Sequence, residues 1–209
     1  MEKSTPFKIG VDIDDVLFPT ADMIIEYYRQ TYGVVVSQEN FYSRDPAVWG
    51  VADYETAITR VSTFLHSEDF RHHAPIDGAV EGITALREAG AYLVPITGRD
   101  DTQRAATRES LDVFFQDLFD EDPIFTNYFN VVKCTKTKGD VCHELGVDYQ
   151  IDDHVGHINS LAKYAIKGVL FGNYAWGRAQ KTEGIVLPAS HWLDVPEVIL
   201  RHRKGIHGE

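Results

Sequence analysis

Apolar positions along the chain fall into short runs separated by amphipathic segments. The first apolar run, 8–17, is rich in branched residues, which predicts a buried strand. Residues 20–32 follow with helical spacing, and Gly33 is a typical residue at which such a helix ends. The next stretch is irregular and aromatic, and a second helix is predicted over 53–65. Residues 19–74 are therefore expected to form a small helical insert.

From residue 79 onward, short apolar runs typical of strands alternate with segments whose apolar residues have helical spacing. Strands are predicted at 92–96, 124–126, from 149 and at 168–171, and helices at 79–89, 101–115, 138–145, 155–164 and 195–203. Strands that alternate with helices form a parallel sheet with helices on both faces. We therefore expect an α/β fold, a Rossmann-like parallel sheet sandwiched by helices. Residues 1–18 and 75–209 would form this core, and 19–74 a small helical cap inserted after the first strand.

Composition narrows the classes of partner. With 209 residues, of which 44% are hydrophobic, the chain can form one domain with a full core. The net charge of −12 disfavours nucleic-acid polymers, whose affinity comes from neutralised phosphates. No apolar stretch approaches the length of a membrane span and no basic-then-apolar leader opens the chain, so no membrane partner is expected. Cys134 and Cys142 lack metal-ligand spacing, which favours reduced thiols in a cytoplasmic protein.

Two acids end the first predicted strand. Strand side chains alternate between faces, so Asp12 and Asp14 point the same way, at the edge of a parallel sheet where ligands bind. Two carboxylates about 4 Å apart repel by roughly 4 kcal/mol at an effective dielectric near 20. A cation or a shared proton would offset this repulsion. The alternative is that the acids cap the helix that follows.

Two other predicted strands end in polar residues. Thr97-Gly98-Arg99 follows the strand at 92–96, and Asp152-Asp153 ends the strand that begins at 149. The ends of parallel strands lie along one edge of the sheet, so these side chains are expected to converge with Asp12 and Asp14. Lys138, near the start of the preceding helix, is placed to join them.

This order of motifs resembles the haloacid dehalogenase superfamily of phosphotransferases, over residues 7 to about 172. Residues 11–17, the short cap and Gln150-Ile151-Asp152-Asp153 together are similar to its 5′-nucleotidase type C, or deoxyribonucleotidase, branch. That resemblance implies a Mg²⁺-dependent phosphomonoesterase acting on a nucleoside 5′-monophosphate. Asp15 departs from the pattern, because glycine often follows the second acid.

The resemblance also implies a role for each motif residue. Asp12 would form an aspartyl-phosphate. Asp14 would protonate the leaving oxygen and then deprotonate water, which requires a pKa raised toward neutrality. Thr97 and Gly98 would bind phosphoryl oxygens. The lysine that neutralises the phosphoryl group would be Lys138, with Lys136 and, less closely, Lys133 as alternatives.

For the metal, the resemblance implies Mg²⁺ held by the Asp12 carboxylate, the Asp14 main-chain carbonyl and the Asp152 carboxylate. Asp153 would support these ligands from a second sphere.

Substrate selection is expected to depend on the cap. Phe18, Phe41 and Trp49, with Tyr42 and Tyr54, offer faces for a flat base or else form the small core of the insert. Arg99 reaches the substrate phosphate or lies on the surface. His154 and His157 are expected on a solvated helix face rather than at a second metal, and Trp176 over the sheet edge.

Other functions remain open at this level. The same chemistry could serve a sugar phosphate or another small phosphoester, and a non-enzymatic phospho-acceptor or binding protein is a third reading of the motifs. The expected partner is a small phosphorylated molecule. The sequence indicates neither the preferred base and sugar nor the oligomeric state.

Overall fold

A parallel six-stranded sheet forms the centre of the protein. The computed structural model describes residues 7–128, 134–178 and 180–207. Its strands are β1 Phe7–Val11, β2 Ala91–Thr97, β3 Ile124–Phe125, β4 Tyr149–Asp152, β5 Lys167–Phe171 and β6 Val186–Ala189. They lie in the order β3-β2-β1-β4-β5-β6, and every neighbouring pair is parallel. The expected parallel α/β fold is thus confirmed.

Helices connect the strands and cover the sheet. They are α1 Thr20–Tyr32, α2 Tyr54–Leu65, α3 Glu68–Arg71, α4 Ala79–Glu88, α5 Arg104–Phe114, α6 Lys138–Glu144, α7 Val155–Leu161, α8 Ala175–Arg178 and α9 Asp194–His207. Local chemistry fixes their ends. Gly33 takes a left-handed conformation (φ 67°) that stops α1, and the Asp53 carboxylate accepts the Thr56 N–H at the start of α2.

The predicted elements differ from the structure mainly where segments are short. Two four-residue helices, α3 and α8, and the edge strand β6 were not predicted. Strand β6 contains Pro188, which an edge strand tolerates but which weakens a strand signal. The helix predicted at 101–115 begins as a 3-10 turn over Asp101–Gln103, because the Asp100 carboxylate accepts the Thr102 N–H there.

The buried apolar side chains of the described residues form three clusters. Two of them pack around the sheet, one including Ile9, Val11 and Ile151, the other Val94 and Ile96. The third lies within residues 23–70 and is built from Met23, Ile24, Tyr28, Val36, Trp49, Ala57, Phe64 and Phe70. This separate cluster supports a cap at 19–74 and a core of 1–18 and 75–209, and those boundaries stay a prediction.

The described segments also bear on the expectations about membrane spans and cysteines. None of their helices is both long and apolar enough to cross a membrane. Cys142 is buried and Cys134 is half-buried, and both are free thiols.

The order of the strands positions the polar residues. Strand β1 lies between β2 and β4, so Asp12 after β1, Thr97 at the end of β2 and Asp152 at the end of β4 share one edge. The Asp12 N–H donates to the Ile151 carbonyl at 3.0 Å, which extends the pairing up to the acids.

Candidate active site

Lys138 is the centre of the acidic cluster. Its Nζ lies 2.7 Å from Oδ1 of Asp12 and 2.6 Å from Oδ2 of Asp152, and all three side chains are buried. A capping box of Thr137 and Asp140 begins α6 immediately before the lysine. The lysine thereby bridges the first and last acidic motifs of the chain.

The alternative lysines do not make this contact. Lys136 pairs instead with Glu144 at 2.7 Å, and both side chains are about half exposed. Lys133 lies outside the described residues. Among the described lysines, Lys138 is the one that contacts Asp12 and Asp152, and its role as the motif lysine stays a prediction.

The two acids at the end of β4 differ in their partners. Asp152 has a donor on each oxygen, Lys138 on Oδ2 and the His154 N–H on Oδ1 at 3.0 Å. Asp153 accepts a hydrogen bond from Trp176 Nε1 on Oδ2 at 2.7 Å. Within the described segments, Oδ1 of Asp153 and Oδ2 of Asp12 accept no hydrogen bond. Among the described residues, Oδ2 of Asp15 likewise has no donor, since the Ala21 N–H donates to its Oδ1.

Burial and charge shift the acids in different directions. Burial raises the pKa of Asp12 to about 8, although Lys138 opposes the shift. Burial also acts on Asp152, but the charges of Lys138 and His157 outweigh it and lower that pKa. Burial and the charges of Asp15 and Asp152 raise the pKa of Asp153 well above its usual value. The described residues therefore compensate a negative charge on Asp153 less than one on Asp152.

Asp14 has a partner that the sequence did not predict. Nε and Nη2 of Arg99 donate to its carboxylate at 2.8–3.1 Å, and the Thr20 hydroxyl donates at 2.6 Å. Burial favours the neutral acid, but Arg99 outweighs it, so the pKa of Asp14 is lowered. The expected rise toward neutrality is wrong for this arrangement. Arg99 is buried against Asp14 and Thr107, so it is not the surface residue that was one of the two expectations.

Asp15 occupies a glycine-like position for a backbone reason. Its φ is 56°, in the left-handed region that glycine and, among other residues, Asp and Asn tolerate best. Its carboxylate accepts the Ala21 N–H at 2.9 Å, in the first turn of α1. Burial, with the charge of Asp14, raises its pKa well above the usual value.

Replacing Asp15 by asparagine is expected to raise the free energy of unfolding at neutral pH by about 1 kcal/mol or more in the presence of a chelator. Asparagine keeps the acceptor for Ala21 and tolerates positive φ, but it removes a buried charge. Because the folded-state pKa is raised, the charge destabilises the parent above the ordinary carboxyl pKa, and the gain should shrink as the pH falls toward about 4. Urea unfolding at both pH values measures this. A loss of stability at neutral pH would contradict the assignment.

Thr97 ends β2 with a buried side chain. Its hydroxyl oxygen accepts the Arg99 N–H at 3.1 Å, which leaves the hydroxyl proton for an incoming acceptor. This arrangement suits contact with a phosphoryl oxygen. Gly98 follows directly in the same turn, and its carbonyl accepts the Tyr128 N–H at 2.9 Å.

The aromatic residues expected to bind a base lie in different places. Phe18 is buried in the main core against Phe114 and Phe115, so it offers no face to a ligand. Trp49 is buried in the cap cluster and donates its indole N–H to the Ser43 carbonyl. Both were wrong as stacking residues, because packing within each core takes their faces. Phe41 alone of the three contacts the site region, through Trp176.

The rings of Tyr42, Tyr128, His154 and His157 contact one another beside the acids, and the contact of Tyr128 was not predicted. Tyr42 reaches from the cap to His154, with ring centroids 5.6 Å apart. Tyr128 contacts both His154 and His157, at 6.1 and 4.5 Å. His157 is buried rather than solvated, and its Nδ1 lies 3.4 Å from Oδ2 of Asp152 without a well-aligned hydrogen bond. The spacing His154-x-x-His157 directly after an acidic motif is the sequence signal that could have placed these two imidazoles beside Asp152.

The charges of the cluster suit a divalent cation. Five carboxylates gather here, those of Asp12, Asp14, Asp15, Asp152 and Asp153, while within the described segments Lys138 and Arg99 are the Lys and Arg side chains paired with them. Fully ionised, the five acids carry a formal excess of three negative charges over these two cations, which a hard cation with oxygen ligands such as Mg²⁺ would offset. Without such a cation, burial and the neighbouring acids raise the pKa of Asp12 and Asp153. Ligand atoms of Asp12, Asp152 and His157 also lie within 4.8 Å of one another. In that set, however, Lys138 already lies between the two acids.

Solved structures share this fold. No protein-family model and no curated protein matches the chain. A predicted phosphatase from Clostridium acetobutylicum has a TM-score of 0.62 at 14% identity, over 93% of this chain and 98% of that one. A haloacid dehalogenase-like hydrolase from Streptococcus pneumoniae has 0.63 at 11%, over 96% and 100%. A predicted phosphoglycolate phosphatase from Haemophilus somnus has 0.62 at 13%, over 94% and 100%. The chain therefore has the haloacid dehalogenase-like fold, and these matches do not distinguish the 5′-nucleotidase branch.

Proposed function

We propose that the protein is a Mg²⁺-dependent phosphomonoesterase that hydrolyses nucleoside 5′-monophosphates through an aspartyl-phosphate on Asp12. The observation that carries this proposal is the buried ammonium of Lys138 between Asp12 and Asp152, beside an Asp12 oxygen to which no described residue donates. A carboxylate with one oxygen held and one open is oriented for attack on phosphorus.

The reaction assigns a step to each side chain. Oδ2 of Asp12 attacks phosphorus, and the bond to the ester oxygen breaks. Lys138 and the Thr97 hydroxyl stabilise the negative charge on the phosphoryl oxygens. Water then attacks phosphorus, Asp14 takes its proton, and the phosphate leaves Asp12. The ionised Asp14 that Arg99 stabilises suits this second step, whereas protonation of the leaving oxygen requires the substrate's negative charge to raise that pKa first.

Asp12, the Asp14 main-chain carbonyl and Asp153 would hold Mg²⁺. This proposal exchanges the roles expected for the two acids of β4, because Asp152 already has a donor on each oxygen and Asp153 has one open. When bound, the ion would neutralise charge on the phosphoryl group.

The rings beside the acids support a nucleotide as the substrate over a small phosphorylated acid such as phosphoglycolate. Tyr42 is partly exposed, and burial of its hydroxyl together with the charges of Asp153 and Asp15 raises its pKa well above the usual value, so it stays neutral. Its ring and that of His154, whose centroids lie 5.6 Å apart, would contact a flat, uncharged base. Phosphoglycolate, which names the Haemophilus protein, would bring a carboxylate as a second anionic group beside its phosphate, and the two cations that contact the acids are already paired.

A panel of phosphoesters with Mg²⁺ tests the proposal. We expect kcat/KM for nucleoside 5′-monophosphates to exceed the values for phosphoglycolate and sugar phosphates by at least about tenfold, since stacking on a base contributes ~1–3 kcal/mol. Tyr42→Ala should lower the value for nucleotides selectively, and Tyr92→Ala, on the surface away from these acids, is the control. Preference for phosphoglycolate or a sugar phosphate would refute the nucleotide assignment.

A further inference from the structure

Trp176 connects the acidic cluster to the cap. It lies in α8, which begins four residues after the end of β5, and is 9% exposed. Its indole N–H donates to Oδ2 of Asp153 at 2.7 Å, and the described residues supply no second donor to that carboxylate. The orientation of Asp153 therefore depends on this hydrogen bond.

The ring of Trp176 makes the contacts with the cap. It stacks on Tyr174 with centroids 4.6 Å apart and planes within 6° of parallel. On the cap side it contacts Phe41 at 5.7 Å and Tyr42 at 5.4 Å. One side chain thus contacts both an acid of the candidate metal site and the segment expected to select the substrate.

The other tryptophans show that this arrangement is more than packing. Trp49 and Trp192 are also buried, and their N–H groups donate to the backbone carbonyls of Ser43 and Val16. Trp176 instead donates to an ionisable carboxylate. Hydrogen bonds to a charged acceptor are stronger than neutral ones, and more so where water is excluded.

We propose that Trp176 is a positioning residue. Its N–H holds the Asp153 carboxylate in the orientation that binds the divalent cation, and its ring contacts with Phe41 and Tyr42 couple cation binding to the cap. The inference rests on the proposed function, which supplies the cation. Partners that orient a metal ligand typically contribute 10- to 100-fold in metal affinity. Because linkage is reciprocal, cation binding should also stabilise the contact between cap and core.

Mn²⁺ binding without substrate tests this directly, with electron paramagnetic resonance as the readout. Trp176→Phe removes the donor and part of the ring, and benzothienylalanine at 176 removes only the N–H. Both should weaken Mn²⁺ binding by about 10- to 100-fold. Benzothienylalanine at 49, the same change inside the cap cluster, is the matched control and should leave the affinity unchanged. Thermal unfolding in a chelator verifies that each variant folds.

Hydrogen exchange provides a second readout. In the parent, saturating Mn²⁺ should slow exchange in residues 38–42 of the cap, and in the benzothienylalanine-176 protein this slowing should be lost. Folded variants whose Mn²⁺ affinity stays within twofold of the parent would overturn the inference and leave the phosphatase proposal standing. If the variants bind Mn²⁺ more weakly than the parent but the parent hydrolyses no phosphoester, the result would support the inference and count against the proposed function.

Discussion

Asp12→Asn is expected to reduce phosphate release by at least about 10³-fold, because the amide cannot form the aspartyl-phosphate and loss of a nucleophile is among the largest effects known in enzymes. The variant should fold. Asparagine keeps the acceptor for the Ile13 N–H, and burial already raises the pKa of Asp12, so removing the charge relieves a cost. Steady-state phosphate release and a thermal unfolding curve measure the two expectations.

The exposed Asp112 on α5 provides the control for this variant. Asp112→Asn makes the same chemical change away from the site and should leave turnover unchanged. Near-normal hydrolysis by Asp12→Asn would show that the nucleophile lies elsewhere.

Lys138→Met is expected to lower the free energy of unfolding by about 3–5 kcal/mol, since it leaves the buried carboxylates of Asp12 and Asp152 without their cation. Methionine keeps most of the apolar stem, so the loss reports on the charge rather than on a cavity. Turnover should also fall steeply, because no other described lysine contacts Asp12. Urea unfolding in a chelator separates the stability effect from metal binding.

Lys136→Met is the matched control, two residues away. Its ion pair with Glu144 is solvent-exposed, and such pairs contribute about 0–1 kcal/mol. Equal losses in the two variants would contradict the assignment of Lys138 as the residue that holds the acids together.

The sheet and its acids could be predicted because each signal is local. Branched apolar runs marked β1, β2, β4 and β5, and a parallel sheet necessarily brings the ends of its neighbouring strands to one edge. The end of α1 could be predicted equally well, because Gly33 stops this helix through its own backbone conformation.

The partners of the acids could not be predicted in the same way. Arg99 lies 85 positions from Asp14, and Trp176 lies 23 positions from Asp153. Nothing in either local sequence distinguishes such a contact from surface exposure. Phe18 and Trp49 failed as stacking residues for a related reason, because composition shows that aromatic rings are present but only packing shows which faces remain open.

Borohydride reduction during turnover tests the central claim most directly. The protein is mixed with Mg²⁺ and a nucleoside monophosphate, quenched in acid, reduced and digested, and the peptide that contains residues 12–15 is sequenced by mass spectrometry. An aspartyl-phosphate is reduced to homoserine, so the account predicts homoserine at position 12 only when substrate is present. Homoserine at another acid, or an unmodified position 12 in protein that is releasing phosphate, would contradict it.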